Sequence, residues 1–246
     1  MCPVPQQLLI MIMIEINTDY KFISPYPVMI ILSLTVGIIV MYILNRKDQI
    51  QKNVSGYLCM LAPMMSLFFG LLLTYITSGG QYFGLSSLGG LAGMYLACLI
   101  MALINPQKDT VRIMMKNCTL VLPLIYSISK IGCLLGGCCR GTAYHGPFCI
   151  HYAGSKTDSA VVFPVQPAET LVFLIIFILG IFLQKKHQHT VWMVFIFSAL
   201  AKFLLDFLRE SHTNQIISFT QILCLLLLLT GFLILYLNHQ KLKKQA

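Results

Sequence analysis

Ser129-Lys130-Ile131-Gly132-Cys133-Leu134-Leu135-Gly136-Gly137-Cys138-Cys139-Arg140-Gly141 closes a long apolar run with a lysine and then turns through glycines into a polar loop. An ammonium group at membrane depth costs several kcal/mol unless it is paired or hydrated, so by default it marks a functional site. The sequence on either side of this stretch fixes the setting. The chain has 246 residues, of which 57% are hydrophobic and 10% charged, with mean hydropathy +0.80. A soluble domain carries about 25% charged residues, so this composition belongs to an integral membrane protein. Residues 53–107 contain no Asp, Glu, Lys or Arg, and a span needs roughly 20 apolar residues. That block therefore holds two spans joined by a short turn.

The same reasoning along the chain predicts seven spans, at about 26–44, 54–76, 84–105, 117–135, 167–183, 191–208 and 216–237. The expected fold class is all-α: a polytopic membrane bundle of about seven transmembrane helices. It forms a single domain over residues 1–246, with an outer-face loop at about 136–166. A loop of that length is usually functional or disordered. Met1 to Ile14 lacks the basic start and small-residue cleavage site of a signal peptide. Its apolar run Leu8 to Ile14 is too short to cross and is expected at the interface.

Net charge is +9, which on a soluble protein would suggest nucleic acid. Here the basic residues cluster in short loops beside apolar segments. Arg46, Lys47, Lys52, Lys108, Arg112, Lys116, Lys185, Lys186, Lys241, Lys243 and Lys244 fall on one side. Lys21, Arg140, Lys156 and Arg209 fall on the other. The bias predicts the N-terminus outside and the C-terminus inside, and no nucleic-acid partner.

Lys130, Glu169, Lys202 and Asp206 lie within or at the edge of apolar spans. The alternating direction of the spans puts all four in the outer half, together with Gly89, Gly90 and Tyr26. One cavity open to the outer surface is the simplest arrangement. Lys202, Asp206 and Arg209 are spaced i, i+4, i+7 on one helix face. A Lys202–Asp206 pair that merely neutralises itself is one reading of them. The other is a site of net positive potential, made with Lys130, that suits a phosphate or another anionic head group. Gly89 and Gly90 serve either close helix packing or that cavity, and Gly136, Gly137 and Gly141 permit a turn at the membrane surface. Few polar groups are expected in the inner half, which argues against a transport path.

Cys59, Cys98, Cys118 and Cys224 read as small core residues. Cys2 follows the first Met with no apolar region before it, so it is not a lipobox cysteine. Cys133, Cys138, Cys139 and Cys149 have no zinc-site spacing; disulfide, metal site and unpaired small residue all remain open for them, and no metal or other cofactor is expected.

Taken in order, these fragments resemble the prolipoprotein diacylglyceryl transferase family across most of the chain. The family's fourth-span motif, Gly-Arg-x-Gly-Asn-Phe-x-Asn-Gly, is similar to Ser129–Gly137 here, with Gly141 following. Its His-Pro-x-Gln-Leu-Tyr-Glu segment resembles Phe163-Pro164-Val165-Gln166-Pro167-Ala168-Glu169. Its late-helix Arg-x-x-x-Glu-x-x-Arg resembles Lys202, Asp206 and Arg209. Thr77-Ser78-Gly79-Gly80, Gly89-Gly90-Leu91-Ala92-Gly93 and Tyr26-Pro27 are similar to further family fragments.

The resemblance implies a multi-pass protein of the bacterial plasma membrane. Its activity would move the diacylglyceryl group of phosphatidylglycerol to the lipobox cysteine thiol of a prolipoprotein, or to another thiol acceptor, releasing glycerol phosphate. It implies Lys130, Lys202 and Glu169 as catalytic residues, with both lysines at the phosphate and Glu169 and Asp206 orienting them. Tyr26, Gly89, Gly90, Gly132, Cys133, Gly137, Gly141, Gln166 and Arg209 would bind substrate, with Tyr26 and Gln166 lining the cavity.

Some departures from the family pattern bear on the chemistry. Two family arginines are Lys130 and Lys202, and a lysine cannot make a guanidinium's bidentate contact. The family histidine is Leu88, so a desolvated lysine becomes a candidate base in its place. The asparagine after Gly132 is Cys133, and the tyrosine before Glu169 is Ala168. The alternative is a catalytically altered relative that binds phospholipid or lipoprotein without transfer.

Overall fold

A computed structural model describes residues 13–18, 20, 24–81, 84–105, 107–153, 161–184, 190–210 and 217–245. Lys21, Lys156, Lys185, Lys186, Cys2 and most of the Leu8 to Ile14 run lie outside the described residues. The described residues carry seven helices: α1 (Pro25–Lys47), α2 (Lys52–Thr77), α3 (Ser87–Ile104), α4 (Lys108–Leu135), α5 (Val165–Leu183), α6 (Thr190–Asp206) and α7 (Phe219–Gln245). The expected polytopic helical bundle is what forms. Five of the helices, α1 to α5, are long and apolar enough to cross a membrane. At about 1.5 Å per residue, the 17 residues of α6 fall just short of the hydrocarbon core, and the apolar part of α7, Phe219–Leu233, is likewise shorter.

The bundle is apolar on its outside as well as within. Leu103, Met60 and Phe182 are among many large apolar side chains left exposed, as lipid rather than water requires. The central helix is α4, with 61% of its apolar window buried inside the protein. It packs against α1, α3, α5 and α6. Glycine brings α3 onto α2: a Cβ on Gly89 would run into the Phe69 carbonyl and one on Gly93 into that of Met65, so α3 lies directly on the α2 backbone.

The two ends of the bundle differ chemically. Where α1 ends and α4 begins, Lys116 pairs with Asp48 at 2.7 Å. Beneath that pair, Asn117 donates to Asn45 at 2.9 Å and Asn45 to Ser55 at 3.3 Å. All three are fully buried. The sequence reading expected few polar groups in this half; the structure places a hydrogen-bonded knot there, closed on itself across α1, α2 and α4. The opposite end carries the long loop, and here the chain departs from an all-helical plan. Strands β1 (Ile14–Asn17), β2 (Ile150–Ala153) and β3 (Val161–Val162) form one sheet in that order. β1 runs parallel to β2, with Ile14 opposite Ile150, and β2 antiparallel to β3, with Ile150 opposite Val162. Ile150, Tyr152 and Val162 are buried beneath Ile16 and Leu134, giving the loop a small core that rests on the end of α4.

Candidate functional site

Tyr126, Lys130 and Cys133 follow one another on a single face of α4, at i, i+4 and i+7. Glu169, in the first turns of α5, is fully buried against that face. One carboxylate oxygen, Oε2, lies 3.0 Å from Lys130 Nζ. The other, Oε1, accepts from Tyr126 Oη at 2.8 Å and from Arg209 Nη2 at 2.5 Å. Lys202 reaches the same point from α6 and donates to Tyr126 Oη at 2.8 Å. Both ammonium groups sit over the Tyr126 ring, 5.0 Å and 4.9 Å from its centroid, where the ring quadrupole favours cations. Tyr126 is thus the hub of the cluster.

Asp206 closes it. The helix ends at this residue, so Arg209 is not on the α6 face that its spacing suggested. It lies beyond a turn and forms a β-bridge with Gly141. Asp206 Oδ1 lies 3.6 Å from Arg209 Nη1, and Oδ2 accepts from Ser218 Oγ at 2.6 Å. Ser218 and Gln221 cap α7 reciprocally, through Ser218 N to Gln221 Oε1 at 2.9 Å and Gln221 N to Ser218 Oγ at 3.1 Å. The Lys202–Asp206 pair weighed from sequence does not form. Among the described residues, no carboxylate lies within ion-pair distance of Lys202.

Three cations therefore face two carboxylates in a buried setting: Lys130 and Lys202 are 5% and 7% exposed. Glu169 compensates Lys130 and Arg209, and Asp206 also serves Arg209. Lys202 has only a neutral phenol as a hydrogen-bonded partner. In addition, Arg209 Nε is buried and, among the described residues, has no hydrogen-bond partner. One positive charge, that of Lys202, is left without a carboxylate among the described residues, and burying it without an anion is costly.

Lys202 and Arg209 line one cavity of about 300 Å³. Lys130, Lys202, Arg209 and Tyr126 form its polar end, and Ile30, Leu34, Leu67, Leu91 and Leu227 are among its apolar walls. The sequence-derived residues divide around it. Tyr26, Gly90, Cys133, Lys130, Lys202 and Arg209 line it. Glu169 and Asp206 stand behind the cations. Gly89 faces α2 instead, and Gly132 packs on Met29 and the Tyr26 carbonyl, bringing α1 in.

Gln166 is not on the wall. Fully buried, it donates from Nε2 to the Cys138 carbonyl and to Tyr152 Oη, each at 2.9 Å, fastening the loop to α5. Gly137 makes the turn at φ 66°. At Gly141 a Cβ would strike the Phe163 carbonyl, and on either side Thr142 N donates to Leu208 O and Glu210 N to Arg140 O, both at 3.0 Å. The loop thereby holds the backbone that carries Arg209.

Sequence reasoning missed Tyr126, Ser218 and the meeting of Cys133 with Cys138 and Cys139. Tyr126 had a signal, since it precedes Lys130 by one helical turn in an otherwise apolar span. Ser218-x-x-Gln221 is a capping-box pattern. Leu88, standing where the family pattern has histidine, lines the cavity and adds no titratable group to it. The loop supplies one instead. Hydrogen bonds from the Cys133 and Cys138 thiols, with the charges of Lys130 and Arg209, hold the Cys139 thiol well below its ordinary value.

A family model described as prolipoprotein diacylglyceryl transferase matches residues 12–237. A similar curated protein is phosphatidylglycerol–prolipoprotein diacylglyceryl transferase 2 of Clostridium perfringens (strain 13 / Type A). It is 28% identical over 133 residues, covering 51% of this chain and 52% of that protein. The alignment thus spans about half the length of the relative.

Proposed function

The chain belongs to the prolipoprotein diacylglyceryl transferase family, and on that premise we propose that it moves a diacylglyceryl group from phosphatidylglycerol to a cysteine thiol. The acceptor is a lipobox-containing prolipoprotein or another thiol. The reaction takes place at the outer leaflet of a bacterial plasma membrane, with the N-terminus outside and the C-terminus inside. The observation that supports this reading is the meeting of Lys130, Lys202 and Arg209 on one cavity with leucine-rich walls, where three cations face two carboxylates and Lys202 has no carboxylate within ion-pair distance among the described residues. An anionic phosphodiester with an acyl chain on one side fits both halves of that description.

In this reading the phosphate sits between Lys202 and Arg209, and an acyl chain lies along the leucine-rich wall. The acceptor thiolate attacks the glyceryl carbon that bears the phosphate. A carbon–sulfur bond forms, the carbon–oxygen bond breaks, and glycerol phosphate leaves with the electron pair. Charge grows on the departing phosphate, and fixed cations in a dry site stabilise that growth more than they stabilise the ground state. Glu169 holds Lys130 and Arg209 in place without itself meeting the substrate. Tyr126 spaces Lys202 from Glu169, so that the ammonium turns to the cavity and is not consumed by the carboxylate.

A second reading, lipid or lipoprotein binding without transfer, draws support from Leu88 on the cavity wall. One experiment separates the two. Purified protein in phosphatidylglycerol micelles is incubated with a lipobox peptide and the peptide mass is followed. A diacylglyceryl mass gain, lost in Lys202→Ala and strongly reduced in Lys130→Ala, is the expected result. No gain from folded protein that still retains phosphatidylglycerol would replace transfer by binding.

A further inference from the structure

Three thiols meet beside the cavity, Cys133 and Cys139 on its wall, and the proposed transfer chemistry uses none of them. Cys133 lies near the end of α4, and Cys138 and Cys139 in the turn that follows. Their sulfur atoms all lie within 4.8 Å of one another, and none is in a disulfide. Cys149, the fourth cysteine of this region, is buried elsewhere and is not in the cluster. The turn is built around this convergence. Cys139 adopts φ 55°, a left-handed conformation for a residue with a Cβ, directly after Gly137 at 66° and Cys138. Such a backbone costs on the order of 1–3 kcal/mol and persists only when its surroundings impose it. They do so here: Cys138 N donates to the Cys133 carbonyl at 3.1 Å, and Gln166 holds the Cys138 carbonyl at 2.9 Å.

We propose that Cys133, Cys138 and Cys139 form a three-thiolate site for one thiophilic closed-shell cation, with monovalent copper the best match. Metal–thiolate bonds are about 2.3 Å long, so three sulfurs spaced evenly around one cation stand about 4 Å apart. The observed cluster needs to contract by less than an ångström to reach that arrangement. Soft thiolate donors select monovalent copper or zinc. A closed zinc site takes four protein ligands, and among the described residues this cluster has three. Three thiolates with one monovalent cation form a net-negative complex, and the surroundings suit one. Arg140 shares a small recess with Cys138 and Cys139, while Lys130 and Arg209 share the cavity with Cys133 and Cys139. Binding breaks each remaining S–H bond, passes the proton to solvent and forms a metal–sulfur bond; no electron is transferred. The site stands independently of the transfer reaction.

The test uses the full chain in detergent under argon, competing for copper(I) against a coloured copper(I) chelator. Removal of one copper per chain from the chelator is expected. Cys138→Ser and Cys139→Ser should each weaken binding by at least the roughly 10–100-fold that even a ligand's supporting groups command. Cys149→Ser should bind as the parent does, and excess zinc should not displace the copper. Circular dichroism and thiol labelling of the same samples show that the fold and free thiols are intact. The proposal is overturned if protein with three reactive thiols leaves the chelator saturated, or if Cys139→Ser binds as tightly as the parent. It is equally overturned if zinc displaces copper, or if the anaerobic protein is recovered with two of the three sulfurs joined as a disulfide.

Discussion

Replacing Glu169 by glutamine keeps the side chain's shape and removes its charge. In the native site this one carboxylate lies 3.0 Å from Lys130 Nζ and 2.5 Å from Arg209 Nη2, at zero exposure. The glutamine oxygen can still accept from Tyr126, so the polar contact survives while both ion pairs are lost. Removing one partner of a buried pair typically costs about 3–5 kcal/mol, because the remaining charge is left uncompensated. A protein of this length loses roughly 2–4 °C of melting temperature per kcal/mol, so Glu169→Gln should melt roughly 6–20 °C below the parent in the same detergent. The accompanying control is Lys130→Met in the same background. Removing the second charge leaves no uncompensated ammonium at position 130, so the double variant should recover part of the loss. A fall smaller than about 2 °C for Glu169→Gln, or strictly additive single and double variants, would refute the view that this carboxylate holds the site together.

Other substitutions report on neighbouring parts of the account. Tyr126→Phe removes the hydroxyl that joins Lys202 to Glu169; it should cost about 1.5–3 kcal/mol, as hydrogen bonds to charged groups do, and depress transfer, read as melting temperature and peptide mass gain. Gly141→Ala puts a methyl group against the Phe163 carbonyl and should displace the backbone bridged to Arg209; transfer should fall by at least about tenfold, the equivalent of 1.4 kcal/mol, with helix content unchanged by circular dichroism. Ser218→Ala removes the α7 cap and a hydrogen bond to Asp206, and a cap alone is worth about 1 kcal/mol, visible as a lower melting temperature. Cys139 should alkylate faster than Cys149 at pH values below the ordinary thiol pKa of about 8.5, because its lowered pKa leaves more thiolate present there, as mass spectrometry of the labelled residues would show.

The bundle was legible in the sequence because lipid demands long apolar runs, and residues 53–107 without a charge leave little else to form. The depth of Lys130, Glu169, Lys202 and Asp206 was legible for a related reason: alternating spans fix direction, and direction fixes depth. Partners were harder to see. The spacing of Lys202, Asp206 and Arg209 implies one continuous face, yet α6 stops at Asp206, and the turn beyond it sends Arg209 to Glu169. Tyr126 reads as one more aromatic in an apolar helix, since its role depends on groups from α5, α6 and the turn after α6. The sheet was invisible because its strands are four, four and two residues long. Its first pairing joins Ile14 to Ile150 across most of the chain, and no local periodicity encodes that. The cysteine cluster depends on the left-handed turn at Gly137 and Cys139, which linear spacing does not express.

The central claim is that Lys202 and Arg209 await the phosphate of a phospholipid, and the most direct measurement is a structure of the protein with phosphatidylglycerol bound. The account predicts phosphate oxygens within hydrogen-bond distance of Lys202 Nζ and Arg209 Nε, with an acyl chain along Leu34, Leu67 and Leu91. A head group bound elsewhere, with Lys202 still turned only to Tyr126, would contradict it.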